Sequence, residues 1–308
     1  MQQKSRSADP KKLEIPTQEI VLDGNIRLFV RREDLIHPTI PGNKYRKLKY
    51  NLAAAKASEL PILTFGGAHS NHIAAVASAG NLYQIDTIGV IRGEELAAKP
   101  LNNTLETARS NGMRLHFINR VDYRQKNTES FLALLQQRFG PFFYLPEGGT
   151  NEAAVKGCEE ILTDGDFRFD YICCACGTGG TVAGIARRAK PGQQVLAFAA
   201  ARDPQVGQVI EGYTSLRNWR IVPDYDFGGY GKVDRKLVDF LNGFYREHAI
   251  MLDPVYTGKM MFGVMDMINN GKFRPGSSIL VIHTGGIQGI KGMNEKLTKS
   301  NMPIIEYI

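Results

Sequence analysis

Residues 171–188 read YICCACGTGGTVAGIARR. The first six are apolar and uncharged, as expected of a strand buried on both faces. The run breaks at Gly177-Thr178-Gly179-Gly180-Thr181, and Val182–Arg188 continues as a helix of small and apolar residues. A glycine-rich loop between a buried strand and a helix is the joint of an α/β unit. Its backbone N–H groups can converge on a phosphate, and the helix N-terminus adds positive potential. No Gly-Lys-Ser/Thr follows, so it is not a Walker A loop. Val182 stands where a dinucleotide fingerprint has its last glycine. Read alone, the loop fits either a phosphate cradle or a tight turn whose glycines allow close packing.

Outward from this joint, strand and helix patterns alternate. Ile20/Leu22 and Ile26/Leu28/Val30 flank Asp23-Gly24-Asn25 as a hairpin. A helix is expected from about residue 44 with Asn43 as N-cap, burying Tyr45, Leu48, Leu52 and Ala55. On that wheel Lys44 projects toward the packed side, while Arg46 and Lys47 point away. Strands are expected at Ile62–Phe65, Thr87–Ile91, Arg114–Ile118, Val195–Ala200 and Ser278–His283. Helices are expected at Ile73–Ala79, Leu101–Ser110, Glu129–Phe139, Val233–Tyr245 and Thr257–Asn269. Buried strands alternating with helices predict an α/β protein with mainly parallel sheets, whose ligands sit beyond the strands' carboxyl ends. Polar, glycine-rich turns occupy that position after Phe65, after Cys176 and after His283.

The chain has 308 residues, 43% hydrophobic and 22% charged, which excludes a disordered, collagenous or disulfide-scaffold protein. Net charge is +7, and residues 1–60 hold 12 Lys/Arg against 7 Asp/Glu. That bias suits an anionic ligand or nucleic acid, and no nucleic-acid motif accompanies it. Cys158, Cys173, Cys174 and Cys176 lack zinc-site spacing and read as buried, reduced packing residues of a cytoplasmic protein. The opening MQQKSRSADPKKLEIP has no apolar core of a secretory signal. Residues 60–85 carry no Asp, Glu, Lys or Arg, but prolines, glycines, histidines and asparagines break the stretch. A soluble protein without a membrane span is expected.

Two further elements could carry chemistry. A lysine at a helix start on the packed side, such as Lys44, opposes both the helix dipole and desolvation. Either it snorkels to the surface or it is neutral and serves as a Schiff-base nucleophile. Gly66-Gly67-Ala68-His69-Ser70-Asn71-His72 offers donors for a carboxylate or a planar ring. It fits a polar, capped turn equally well.

Pro-Gly-Asn-Lys-Tyr-Arg-Lys-Leu, Gly-Gly-Ala-His-Ser-Asn-His, Pro-Glu-Gly-Gly-Thr-Asn, Gly-Thr-Gly-Gly-Thr-x-Ala-Gly, Asp-Pro-Val-Tyr-Thr-Gly-Lys and His-Thr-Gly-Gly occur in that order. From about Arg31 to His283 the chain resembles the D-cysteine desulfhydrase / 1-aminocyclopropane-1-carboxylate deaminase family of pyridoxal-phosphate enzymes, of the tryptophan-synthase-β fold type. The resemblance implies pyridoxal 5'-phosphate as cofactor and a two-domain fold type II architecture with the cofactor in the interdomain cleft. Residues 1–45 and 151–308 would form the larger domain and 46–150 the smaller. Lys44 would bind the cofactor aldehyde, Asn71 its 3′ oxygen, and Gly177, Thr178, Gly179, Gly180 and Thr181 its phosphate. Ser70, Asn71 and His72 would hold the substrate carboxylate. Tyr230 and Tyr256 match the family's two active-site tyrosines, and Thr257 and Thr284 lie toward the pyridine ring.

Within the family, the deaminase type has Glu directly after the second tyrosine and tends to have Leu in His-x-Gly-Gly; here these are Thr257 and Thr284. The resemblance therefore implies β-elimination from D-cysteine to pyruvate, ammonia and sulfide. 1-Aminocyclopropane-1-carboxylate deamination, an L-serine/threonine dehydratase-like or β-replacement reaction, and a non-catalytic cofactor carrier are the alternatives. The expected partners are a small amino-acid substrate and a second copy in a homodimer, with no nucleic acid and no membrane. The chain departs from the family pattern at Pro41-Gly42, at Ile73-Ala74-Ala75 and at Lys232-Val233-Asp234, all around the substrate end.

Overall fold

The computed structural model describes residues 14–307. Most of the opening segment read for a secretory signal lies outside the described residues. Ten strands form two sheets: β1 (Thr17–Ile20), β2 (Arg27–Arg31), β3 (Ile62–Gly67), β4 (Thr87–Arg92), β5 (Arg114–Ile118), β6 (Phe143–Leu145), β7 (Tyr171–Cys176), β8 (Gln194–Ala199), β9 (Trp219–Val222) and β10 (Ser278–Ile282). The helices are α1 (Asn43–Ser58), α2 (Asn71–Tyr83), α3 (Asn103–Ser110), α4 (Arg120–Arg124), α5 (Glu129–Phe139), α6 (Glu152–Glu159), α7 (Gly180–Arg188), α8 (Val206–Tyr213), α9 (Arg235–His248), α10 (Thr257–Asn269) and α11 (Gly289–Lys299).

One sheet has the order β1-β2-β10-β7-β8-β9 and is parallel except at the β1–β2 hairpin. The other, β5-β4-β3-β6, is parallel throughout. The expected α/β architecture with mainly parallel sheets is therefore present. The uncharged strand β7 works as its sequence suggests. Cys173 and Ala175 face one core with α9 and α10, and Ile172, Cys174 and Cys176 face another with α6 and α7. All four cysteines are buried and free. Burial pushes the Cys158 thiol up to about 11 and the Cys176 thiol up to about 12, so they pack as neutral, small hydrophobes. Among the described residues no helix is long and apolar enough to cross a membrane.

Three local expectations need correction, all on α1. Asn43 does not cap the helix: Gly42 is the N-cap and makes no side-chain cap bond. The Asn43 amide instead donates to Thr181 Oγ1 at 2.8 Å, tying α1 to α7. Arg46 does not point away either; it is buried, with its guanidinium on both oxygens of buried Glu33 at 2.9 Å. Lys47 is buried too, with consequences described below. The wheel accounted for one core face under Leu48, Leu52 and Ala55, but α1 has a second partner in α6. Gly157 of α6 makes that contact possible, because a Cβ there would lie 2.0 Å from Arg46 O. The helix α6 was not among the expected elements, and β6, with three residues, is too short to read.

Candidate active site

The carboxyl ends of both parallel sheets open onto one cavity of about 1220 Å³. Its wall includes the turns after β3, β7 and β10, as their position in the sequence suggested. The start of α1 reaches it by docking on the end of β10. Asn43 N donates to Thr284 O at 3.3 Å. Only glycine fits at position 42, where φ is +66° and a Cβ would lie 1.9 Å from that same carbonyl oxygen.

This docking sets Lys44 in the cavity wall, where its Nζ donates to Asn43 Oδ1 at 3.0 Å. Desolvation, with a smaller contribution from the charge of Lys47, lowers the Lys44 amine from its usual range to about 7. At neutral pH a large fraction is therefore free base, the form that attacks a carbonyl. Lys47 lies one helical turn on. Its Nζ donates to Gly148 O and Thr150 Oγ1 at 2.9 Å and lies 3.4 Å from Thr178 Oγ1. Burial lowers its basicity as well. All these acceptors are neutral oxygens, beside the loop Gly177–Thr181. A buried ammonium with no anionic partner among the described residues marks a place where an anion completes the site.

Lys47 is the residue that sequence reasoning missed. Its spacing of three from Lys44 puts both amines on one side of the helix, which was the available signal.

Gly177, Thr178, Gly179 and Thr181 line the cavity together with Ser70, Asn71, Tyr230, Tyr256 and Thr284. Gly180 opens α7 behind the loop. Ser70 is the N-cap of α2 and accepts from Ile73 N. The first-turn N–H groups of α2, which a helix leaves without internal partners, point at the cavity end. Asn71 Oδ1 accepts from Gln288 Nε2 at 3.0 Å, fixing the amide's orientation. The Tyr230 and Tyr256 rings meet edge to face, centroids 6.0 Å apart. Burial holds the Tyr256 hydroxyl well above the usual phenol range, so it stays protonated.

Two of the expected residues stand differently. The His72 imidazole is turned into the protein. Thr64 Oγ1 donates to Leu145 O at 2.8 Å, so at 2.8 Å it accepts from His72 Nε2–H. The ring is then an Nδ1 acceptor only, and burial with two nearby lysines keeps it neutral. Its backbone N–H, not its ring, is the group available to a carboxylate. Thr257 is fully buried and spends its hydroxyl inside the α10 cap, donating to Asp253 Oδ1 at 3.0 Å and accepting from Asp253 N at 2.9 Å. Of the two threonines expected near the ring, Thr284 alone is in the wall.

The pattern of the family described as "Pyridoxal-phosphate dependent enzyme" matches residues 13–285. The chain belongs to the pyridoxal-phosphate dependent enzyme family. Its cofactor is pyridoxal phosphate, and the site suits it, with a depressed lysine amine facing a glycine-rich loop backed by an unneutralised ammonium. The chain is 31% identical over 290 residues to a Pyrococcus horikoshii protein named "Putative 1-aminocyclopropane-1-carboxylate deaminase", covering 88% of this chain and 87% of that one. It is 28% identical over 298 residues to the Arabidopsis thaliana "Bifunctional D-cysteine desulfhydrase/1-aminocyclopropane-1-carboxylate deaminase, mitochondrial", covering 87% and 74%. A crystal structure described as the ACC deaminase homologue superposes with a TM-score of 0.80 at 28% identity, covering 93% of each chain. The fold is that of the family's type II architecture.

Proposed function

We propose that the protein catalyses β-elimination from a small D-amino acid such as D-cysteine, releasing pyruvate, ammonia and sulfide. What supports this reading is the lowered amine of Lys44 in a cavity whose wall also holds Thr284, which we take as a hydroxyl partner of the cofactor ring in place of a carboxylate. The cofactor, when bound, supplies an electron sink at the substrate Cα. A carboxylate at its ring nitrogen would keep that nitrogen protonated and strengthen the sink, as opening a cyclopropane requires. β-Elimination needs less, because the thiolate leaves as the α-proton is lost. The printed names of the relatives favour 1-aminocyclopropane-1-carboxylate deamination as the second reading.

In this reading Lys44 holds the cofactor aldehyde and, once released, takes the α-proton at Nζ. A group lowered to about 7 is suited to that exchange near neutral pH. Tyr256, kept protonated by burial, donates a hydrogen bond and is not the base. Lys47, Thr178 and the N–H groups of residues 177–181 hold the phosphate. Ser70 and the first-turn N–H groups of Asn71 and His72 hold the substrate carboxylate, and the Asn71 amide the 3′ oxygen. We take 46–150, with the four-stranded sheet, as the smaller domain and 1–45 with 151–308 as the larger, in a cytoplasmic homodimer.

The test is incubation of the yellow holoprotein with D-cysteine, L-cysteine, D-serine and 1-aminocyclopropane-1-carboxylate, assaying 2-oxo acid and sulfide. Sulfide and pyruvate from D-cysteine are expected. A 2-oxo acid from the cyclopropane substrate alone would establish the second reading instead.

A further inference from the structure

Arg92 is the last residue of β4 and pairs in register with Gly67, the last residue of β3. It therefore stands on the carboxyl edge of the smaller sheet, one strand from the turn that ends in Ser70 and the start of α2. Its guanidinium lies back over Gly67, with Nη2 3.5 Å from where a Cβ on that glycine would be. It is the one arginine in the cavity wall among the described residues. Its one side-chain partner there is the Tyr123 ring, 5.6 Å from the guanidinium carbon.

The carboxylates that share the wall are occupied elsewhere. Asp34 accepts from Arg32 at 2.7 Å, and Glu147 accepts from Tyr123 at 2.6 Å and pairs with Lys126 at 3.4 Å. Asp203 takes the N–H of Gln205 at 2.9 Å. The guanidinium of this exposed residue is thus left at the cavity wall with no carboxylate on it among the described residues. A planar fork of donors matches an oxyanion bidentately, and an aromatic face behind it holds the plane in place.

We propose that Arg92 is a specificity-determining residue that receives an oxyanion on the substrate beyond Cα, whether carboxylate, sulfonate or phosphate. The α-carboxylate has its own seat at the start of α2, so Arg92 reads the β-substituent. The inference rests on reading the cleft as an amino-acid elimination site. It adds that, among substrates of that site, those whose β-substituent carries an oxyanion bind more tightly than those, such as D-cysteine, whose substituent is a thiol.

Succinate and butyrate, equal in chain length and differing by one carboxylate, test this by calorimetry on the holoenzyme. Neither carries an amine, so the comparison is independent of any turnover. Succinate should bind about tenfold or more tightly than butyrate, the worth of a hydrogen bond to a charged group. Arg92→Gln should abolish that ratio and Arg92→Lys should keep part of it. Arg120→Gln also removes one positive charge, but from a residue paired with Glu95 outside the wall, and should leave the ratio intact. Equal binding of the two acids, a ratio that survives Arg92→Gln, or one lost equally in Arg120→Gln would overturn the proposal. In turnover, the KM of O-phosphoserine should rise in Arg92→Gln while that of serine does not. If D-cysteine and its analogues give no 2-oxo acid while the succinate preference holds, the reaction assignment fails and the anion seat stands.

Discussion

Asp253 and Thr257 close a ring of hydrogen bonds at the start of α10. The carboxylate also accepts from Thr257 N at 2.7 Å, Val255 N at 3.0 Å and Tyr256 N at 3.1 Å. Burial pushes the carboxyl up, and these donors oppose that push. The Thr257 hydroxyl is therefore structural, and it orients Tyr256 through the cap.

Replacing it tests that assignment. Thr257→Val leaves Asp253 N without its acceptor and should cost about 1–3 kcal/mol in a urea melt, whereas Thr257→Ser should cost little. Both should still load cofactor with an unshifted visible band. Unchanged stability with a shifted band would instead put the hydroxyl on the cofactor ring.

The pH dependence of cofactor capture follows from Lys44. A lysine lowered to about 7 gains free base as pH rises through that value, and only the free base attacks the aldehyde. In the apoprotein, the rate at which the visible band forms should rise with pH with a midpoint near 7. An unperturbed lysine would place it near 10.5. Lys47 is a neighbouring positive charge that depresses Lys44, so Lys47→Met should move the midpoint upward. Stopped-flow absorbance across pH 6–9 with buffer in excess reads both. A rate independent of pH in that range would refute the lowered amine. Lys44→Ala should give no visible band at any pH.

Much of this site was legible because its parts are local. A buried strand ending at Cys176 before a glycine-rich turn and a helix starting near residue 44 announce themselves by composition and spacing. The carboxyl ends of parallel strands then bring Ser70 and Thr284 to one cavity, joined by Lys44 at the start of α1 and Tyr256 at the start of α10. What was not legible depends on contacts between distant segments. Lys47 looked like one of several surface lysines because nothing in the sequence places Gly148 and Thr150 over α1. That the His72 ring is turned inward was not legible because its partner Thr64 is a core residue of β3. Asn43 was read as a cap because its neighbour Thr181 is 138 residues away.

Gly157 offers a stability test of how α1 is seated. A Cβ there would lie 2.0 Å from Arg46 O and 2.9 Å from Arg46 C, which are backbone atoms that cannot rotate aside. Gly157→Ala must push α1 from α6, and overpacking of this kind costs typically about 1–3 kcal/mol. Because the same helix carries Lys44 and Lys47, cofactor affinity should fall together with the melting temperature. Gly212→Ala, in a helix position with open space around it, should leave both unchanged or slightly raised. A Gly157→Ala protein as stable as the parent would mean that the α1–α6 contact is looser than described.

Lys47 is separable from Lys44 by the choice of cofactor. If its ammonium completes the phosphate seat, Lys47→Met removes a charge-assisted partner of the phosphate and nothing from the ring. Binding of pyridoxal phosphate to the apoprotein should weaken by about tenfold or more, the worth of a hydrogen bond to a charged group. Pyridoxal, which lacks the phosphate, should bind the parent and the variant alike once the pH is set where Lys44 is fully free base in both. Fluorescence titrations of the four combinations give the coupling directly. The burial of Lys47 against Gly148, Thr150 and Thr178 makes methionine, of similar length and apolar, the substitution that keeps the packing. An equal loss for both ligands would show instead that Lys47 only supports the seating of α1.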